Sequence, residues 1–259
     1  MFSLLIRKLG SWPAEEAADL ALRGIARAAG VTDEDLVKRL QAGEAGAPAG
    51  AEAAYARLWT LRVCKLVVLA CQRYWAWGAT DLFRLRITST IGYLRLEAEC
   101  VGLLKLFEND DPLAERWSRI KTQDEGTAFF RETQPRLKTV LRTFDLDTAY
   151  NIASNSAQHV RMAGIVRGLS SGDGELALPD QDFDSDDPYS YHLAVAHYHR
   201  IQARILRALG GVLPDVADDN WRSEIKRFSE NSDSMWAALE QRYAGQTQPD
   251  VNPEDAEPT

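Results

Sequence analysis

The sequence predicts an all-α protein, a helical bundle with a small N-terminal helical hairpin and a disordered C-terminal tail. Apolar residues recur at spacings of three and four along almost the whole chain, which is the period of a helix. No segment shows the sustained alternation of a strand between glycine or proline residues. Hydrophobic residues make up 45% of the chain and charged residues 26%, enough to build a buried core. We therefore expect the hairpin at 1–45, the bundle at 51–244 and the tail at 245–259.

The N-terminal hairpin is predicted from the segment IARAAGVTDEDLVKRL at 25–40. Gly30 marks a tight turn, and Thr32 with Asp35 has the spacing of a capping box that starts the second helix. The acids in the first turn of that helix suit its dipole. A linker of Gly, Ala and Pro at 43–50 then leads to the bundle.

The same segment resembles the helix-turn-helix of bacterial repressors, whose second helix enters the major groove of DNA. A DNA-binding regulator that acts through residues 25–40 is therefore one alternative. The predicted second helix begins with Asp33-Glu34-Asp35, and carboxylates oppose docking on phosphates, so the charge favours a purely structural hairpin. The matching positions are Ala26, Ala29, Gly30, Val31, Thr32 and Leu36.

Two long helices are expected to form the centre of the bundle. The first covers about 51–77 and is apolar on most sides, so we expect it to be buried on most sides. The turn is predicted at Gly78 to Asp81, and the second helix runs from there to about Phe107. A polar sector of about 100° on the first helix is the part left for solvent. This sector holds Arg62, Lys65, Gln72 and Arg73.

Further helices complete the predicted bundle. Pro188 suits a first helical position, and Gly210-Gly211 is placed to end the helix that starts there. The segment 245–259 has three prolines, four acids and no base, which predicts disorder. The remaining helices are expected after Pro112, around Pro135 to Arg142, from about Asp147 to Leu169, over 188–209 and around Trp221 to Leu239.

Composition and cysteine pattern predict a cytoplasmic protein with no membrane-spanning segment. The longest purely apolar run, Leu66 to Cys71, is far shorter than the roughly 18 to 20 residues that cross a bilayer. The three cysteines lie in apolar helical patterns and form no CxxC pair, which indicates buried, reduced thiols. The formal net charge of −8 argues against a protein whose whole surface binds nucleic acid or anionic lipid.

Basic and aromatic residues are interleaved over residues 53–96, where seven basic side chains occur with a single acid, Asp81. Basic side chains beside stacking rings are typical of single-stranded RNA or nucleotide binding, so these ligands are candidate partners. The alternative is that the rings belong to the core and the bases pair with acids at 108–111 or 180–187. The basic residues are Arg57, Arg62, Lys65, Arg73, Arg84, Arg86 and Arg95.

The helix predicted over 81–107 carries two polar stripes on opposite sides. One stripe includes Arg95 and Glu99, one turn apart, and the other includes Thr90 and Glu97. If the helix is central, at least one stripe faces inward, and Arg95 with Glu99 then forms a pair that can hold a third group in place. The alternative is a helix at the edge of the bundle with both stripes in solvent.

The four histidines fall in two segments. His159 follows a polar run at 151–158, one turn after Asn155, and can act as a general acid or base or as a hydrogen-bonded core residue. His192 and His199 lie about 10 Å apart along a helix, too far to ligate one metal ion. No metal ion or cofactor is expected, and His159 is the candidate catalytic residue.

Residues 84–169 resemble a broad group of uncharacterised bacterial all-helical proteins related to the HEPN superfamily. The resemblance consists of an Arg95-x3-Glu99 helix, an Asp-Pro turn with a further helix, and a Tyr150-x3-Ser154 element. It implies a helical bundle that often pairs through its helices, so a homodimer is expected from it. Many relatives are thought to be binding or regulatory modules, some of them linked to phage defence.

Nuclease members of the HEPN superfamily cleave RNA without a metal ion, using a histidine and an arginine four to six residues before it. His159 follows the Tyr150-x3-Ser154 element, but no arginine precedes it at that spacing. A metal-independent ribonuclease, with His159 as the general acid or base and Arg95 on the phosphate, is therefore an alternative function.

The function expected from the sequence is that of a binding or regulatory module for a partner or an anionic ligand. The ribonuclease and the DNA-binding regulator remain as alternatives. The polar binding centre is expected to consist of Arg95, Glu99, Tyr150, Ser154 and Asn155, with His159 beside them.

Overall fold

The computed structural model describes residues 2–84, 86–151 and 188–244. Within these ranges the chain is mainly helical and contains no strand, so the predicted all-α class is confirmed. The predicted tail and residues 152–169 of the helix predicted from Asp147 lie outside them. The helices are α1 (Phe2–Leu9), α2 (Pro13–Ala28), α3 (Asp33–Ala42), α4 (Ala51–Phe83), α5 (Ile87–Phe107), α6 (Asp111–Ser118), α7 (Gln123–Thr143), α8 (Pro188–Val212) and α9 (Asp219–Arg242).

Helices α4 and α5 form the centre of the bundle, as the sequence predicts. They pack against each other, α6 packs on α4, α7 and α8 pack on α5, and α9 packs on α8. Apolar side chains on every buried side of the two central helices fill the core between these layers. Among the most deeply buried are Val68 and Cys71 of α4 and Val101, Leu104 and Phe107 of α5.

The turn predicted at Gly78–Asp81 is wrong, because α4 continues through Gly78 to Phe83. Gly78 is a point of close approach: a Cβ atom there would lie 3.3 Å from both the Tyr198 hydroxyl and the Tyr93 Cβ. The helix ends later, at Phe83, and the Arg86 backbone N–H donates to the Asp81 carbonyl at 2.8 Å. Gly78 therefore serves helix packing, and α4 is a single helix of 33 residues.

The stop predicted at Gly210-Gly211 is wrong for a similar reason, since α8 continues to Val212. A Cβ atom on Gly210 would lie 2.9 Å from the indole nitrogen of Trp221 on α9. The missing side chain lets α8 and α9 come together where that tryptophan is buried. A glycine near a helix end therefore marks a helix contact here and not a C-cap.

Helix α7 is longer than the stretch predicted around Pro135 to Arg142, because it begins at Gln123. Thr122 and Glu125 form a capping box: the Thr122 backbone N–H donates to the Glu125 carboxylate at 3.1 Å, and the Glu125 N–H donates to the Thr122 hydroxyl at 3.3 Å. Pro135 lies inside the helix. The capping pair was the sequence signal for the true start.

The N-terminal hairpin forms from α2 and α3, within the predicted 1–45, whereas Leu5, Leu9 and Trp12 at the start of that range belong to the core of the bundle. The Asp35 backbone N–H donates to the Thr32 hydroxyl at 3.1 Å, and that hydroxyl donates to the Asp35 carboxylate at 2.7 Å. Gly30, at the turn, has a φ of +68°, which glycine adopts without strain. The hairpin packs on α4 through a small apolar core. That core consists of Leu22, Ala26, Leu36, Ala51 and Leu58.

Candidate functional site

Three residues of the predicted polar centre come together between α5 and the helical turn at 147–151. The Glu99 carboxylate accepts a hydrogen bond from Arg95 Nε at 3.0 Å and another from the Tyr150 hydroxyl at 3.3 Å. The Arg95 guanidinium also lies 5.5 Å from the centre of the Tyr150 ring. The three side chains therefore form a closed set of mutual contacts.

The Arg95–Glu99 pair is shielded from solvent, with 18% and 10% of the two side chains exposed. Burial raises the pKa of Glu99, and the charge and hydrogen bond of Arg95 oppose that rise. Burial also raises the pKa of Tyr150, and the Glu99 charge adds to that effect. The geometry fits a polar latch that holds the turn at 147–151 against α5.

The other predicted members of the polar centre are Ser154, Asn155 and the candidate catalytic His159. All three lie outside the described residues. Their roles as binding or catalytic groups stay predictions.

The opposite polar stripe of α5 is buried as well. Nε2 of Gln202 on α8 lies 2.9 and 2.8 Å from the two carboxylate oxygens of Glu97, and neither side chain reaches solvent. The buried Thr90 hydroxyl donates to the Gly78 carbonyl at 3.2 Å. Both polar stripes of α5 therefore face into the bundle, as expected for a central helix and not for a helix at the edge.

Glu97 has a hydrogen-bond donor in Gln202 but no ion-pair partner among the described residues. Burial raises its pKa well above that of an ordinary glutamate, and the Gln202 hydrogen bond only partly opposes the rise. The Gln202 Oε1 atom is buried without a hydrogen-bond partner in the described structure. A long-range contact between two residues 105 positions apart gave no local signal in the sequence.

Several cations of the basic and aromatic segment are paired with acids, as one of the two predicted alternatives requires. Arg57 lies 3.7 Å from the Asp111 carboxylate, which belongs to the acidic stretch expected to pair. Arg62 and Lys65 instead pair with Glu15 on α2, a partner that the sequence did not suggest. These cations therefore fix neighbouring helices to α4.

A face of α4 remains exposed, with one side chain in each successive turn. We call this face the α4 stripe; it includes three large apolar side chains, with exposures of 59% for Leu66, 45% for Leu69 and 44% for Trp77. Arg73 and Arg84, also exposed, form no ion pair with any described residue. The α4 stripe consists of Leu66, Leu69, Arg73, Trp77, Thr80 and Arg84.

Trp77 is held in place although its ring is exposed. Its ring centre lies 5.8 Å from that of Tyr93 and 6.1 Å from that of Tyr74, and the two tyrosines are 6.4 Å apart. The Arg73 guanidinium lies over the indole, 5.1 Å from its centre. The cluster thus orders a tryptophan and an arginine at the surface before any ligand arrives.

Two concave spaces adjoin the α4 stripe. One is a shallow depression, open to solvent, that is lined only by α4 residues between Leu66 and Trp77. The other, of about 170 Å³, lies between Trp77, Arg84 and Tyr93. The sector of α4 expected to face solvent was predicted to be polar, and the leucines on this side of the helix were not singled out. A helix that is apolar on almost all sides was the available signal, since some of its apolar side chains had to remain uncovered.

The described cysteines are buried, and each of the described histidines contacts an aromatic side chain. Cys64, Cys71 and Cys100 are buried free thiols, and burial raises the pKa of Cys64 to about 12, which opposes thiolate chemistry. His197 packs against Trp236 with ring centres 4.9 Å apart. No group of three His, Cys, Asp or Glu side chains in residues 2–84, 86–151 and 188–244 is arranged to hold a metal ion. In the same ranges, no helix combines the length and apolar character needed to span a bilayer.

The start of α3, which a helix-turn-helix would place in the major groove, is exposed and acidic. Asp33, Glu34 and Asp35 all lie in its first turn. Arg23 on α2 lies 3.8 Å from Asp33 but only 2.7 Å from Asp19, so it offsets only part of this negative charge. The surface is therefore repulsive toward phosphates.

Comparisons with protein-family models, curated proteins and solved structures find no match to this chain. The resemblances to the HEPN superfamily and to the helix-turn-helix stay predictions.

Proposed function

We propose that this protein is a protein-binding module and that its partner docks on the α4 stripe. The observation that carries the proposal is the exposure of Leu66, Leu69 and Trp77 on one face of α4. Large apolar side chains left exposed along one helix face are typical of interaction surfaces, because their contact with water is unfavourable.

The residue types of the stripe support this function. Tryptophan, tyrosine and arginine dominate the binding energy of protein interfaces, and Trp77 stands among Arg73, Tyr74 and Tyr93. The neighbouring rings reduce the side-chain entropy that Trp77 would lose on binding. A shallow surface of this kind fits a macromolecule better than a small molecule, which would leave much of itself exposed.

The ribonuclease alternative receives less support from the described residues. Arg95 would have to stabilise a phosphate, but it is bonded to Glu99 and only 18% of its side chain is exposed. Incubation with mixed cellular RNA in EDTA, beside His159→Ala, checks this alternative. If the wild type cleaves the RNA and His159→Ala does not, the proposed function changes from a binding module to a ribonuclease.

A photo-crosslinking amino acid placed at Leu69 tests the docking surface. The matched control carries the same group at Leu20, an isolated leucine on α2 that is 68% exposed. In cells, the Leu69 variant is expected to give discrete protein adducts that disappear when Trp77→Ala or Leu66→Ser is added. Circular dichroism checks that each variant is folded. Equal adducts from both positions, or adducts that survive both substitutions, would contradict the proposal.

A further inference from the structure

We infer that the partner is an amphipathic α-helix of about five turns, which lies along the α4 stripe with an apolar ridge on the leucines and carboxylates on the arginines. This inference rests on the proposed function and specifies the chemistry of the partner. It draws on the length of the stripe, its unpaired charges and the order of its residues.

The length of the stripe matches a helix. Arg84 follows Leu66 by 18 positions, which corresponds to five turns or about 27 Å of helix. The stripe presents one side chain in each successive turn, so a straight ridge could follow it throughout. A second helix lying along such a face can place its own residues i, i+3, i+4 and i+7 against it.

The unpaired cations specify the charge of the partner. Arg57, Arg62 and Lys65 on the same helix have acidic partners, whereas Arg73 and Arg84 have none among the described residues. Arg73 and Arg84 are eleven residues apart, or about 16 Å along the helix. Carboxylates at a similar separation on the partner would meet both guanidinium groups and fix the direction of the bound helix.

The order of residues along the stripe favours a protein helix over a nucleic acid or a second copy of this chain. Leu66 and Leu69 form an aliphatic end, which offers nothing to a phosphate or a stacked base. A second copy of the chain would bring its own Arg73 and Arg84 to a face that already carries these two cations. An acidic amphipathic helix satisfies both the aliphatic end and the basic end.

A display library of helix-forming 18-residue peptides, with all surface positions randomised, tests the inference. Selection against the full chain should enrich aliphatic residues at helical spacing and Asp or Glu toward one end. An enriched peptide is then synthesised with a fluorophore, and its binding is measured by anisotropy. Leu66→Ser should weaken binding more than tenfold, and Arg73→Gln with Arg84→Gln about tenfold.

The chain offers a matched control for the charge. Arg200 lies over Trp236 at 5.2 Å, the same arrangement as Arg73 over Trp77, but on another surface. Arg200→Gln should leave peptide binding unchanged. An isosteric peptide with Gln in place of its acids should bind about tenfold more weakly than its parent and lose its dependence on salt.

Each contrary outcome has a distinct meaning. Peptides that need Leu66 but show neither acid enrichment nor loss on arginine substitution would overturn the acidic helix and leave the docking surface standing. If no substitution in the stripe weakens the binding of the selected peptides, both the acidic helix and the docking surface are overturned. Tighter, arginine-dependent binding of an 18-nucleotide single-stranded RNA would overturn the inference in favour of nucleic acid. A concentration-dependent dimer that is seen by sedimentation and abolished by Leu66→Ser would overturn the inference, because the occupant of the stripe would then be a second copy of this chain.

Discussion

Gln202 on α8 holds both carboxylate oxygens of Glu97 on α5 at a depth where neither side chain meets solvent. The contact joins α5 and α8, two helices that contribute side chains to the core. Burial disfavours the charged form of Glu97 and so raises its pKa. A neutral amide at position 97 would keep one of these hydrogen bonds through its oxygen, and rotation of the Gln202 amide would let the buried Gln202 Oε1 accept from the new NH2 group.

Glu97→Gln is therefore expected to stabilise the protein at neutral and alkaline pH. Because burial raises the pKa of Glu97 in the folded state, its favourable contribution is complete below the unfolded value, near 4.5, and is lost as the pH rises through the folded pKa. Urea unfolding at pH 5 and pH 8 should show a stability gain that grows with pH. The exposed control Glu52→Gln should show no such growth, and a gain that shrinks with pH would contradict the prediction.

The latch of Arg95, Glu99 and Tyr150 is expected to contribute to stability. Arg95→Met would leave Glu99 without its cation, at a cost of about 2 to 3 kcal/mol, somewhat below that of a fully buried pair. Tyr150→Phe removes only one hydrogen bond and should cost about 1 kcal/mol. A double-mutant cycle by chemical denaturation should give a coupling between the two substitutions, and additive effects would argue against a joint latch.

Gly102→Ala is expected to destabilise the contact between α5 and α7. A Cβ atom there would overlap the side chain of Leu137, and overpacking of this kind costs about 1 to 3 kcal/mol. Gly24 on α2 is the matched control, because a Cβ there meets nothing within 4 Å. Gly24→Ala should stabilise by up to about 1 kcal/mol. Thermal melts distinguish the two, and Leu137→Val should partly rescue Gly102→Ala.

Mild acid is expected to loosen the packing of α8 on α9. His199 stacks on Phe228 with ring centres 4.7 Å apart, and burial lowers its pKa and that of His197. Their contribution to stability is therefore present above the unfolded value, near 6.5, and is lost as the pH falls toward the folded pKa. The melting temperature of wild type should drop between pH 7 and pH 5, and His199→Phe should reduce that drop. An equal drop in both proteins would contradict the assignment to His199.

Local patterns in the sequence predicted most of the helices and the Thr32 cap. They did not predict the contacts between helices that are distant in the chain. The spacing of Arg95 and Glu99 was enough to predict their ion pair, because residues four apart share a helix face. Gly78 was predicted to lie in a turn and Gly210 at a helix end, because a glycine at a close helix crossing looks the same in sequence as a glycine in either of those places. The uncovered leucines of α4 were missed because burial depends on where neighbouring helices end.

The unbroken course of α4 also fixes the angular position of the α4 stripe relative to the N-terminal hairpin. The helix contacts the hairpin core at Leu58 and presents the stripe from Leu66 onward, with no hinge between them. One residue inserted between these points would rotate the stripe by about 100° relative to the hairpin. Helix α4 therefore holds the stripe and the hairpin at a fixed rotation about its own axis. Partners bound to these two surfaces would be held at the same relative rotation.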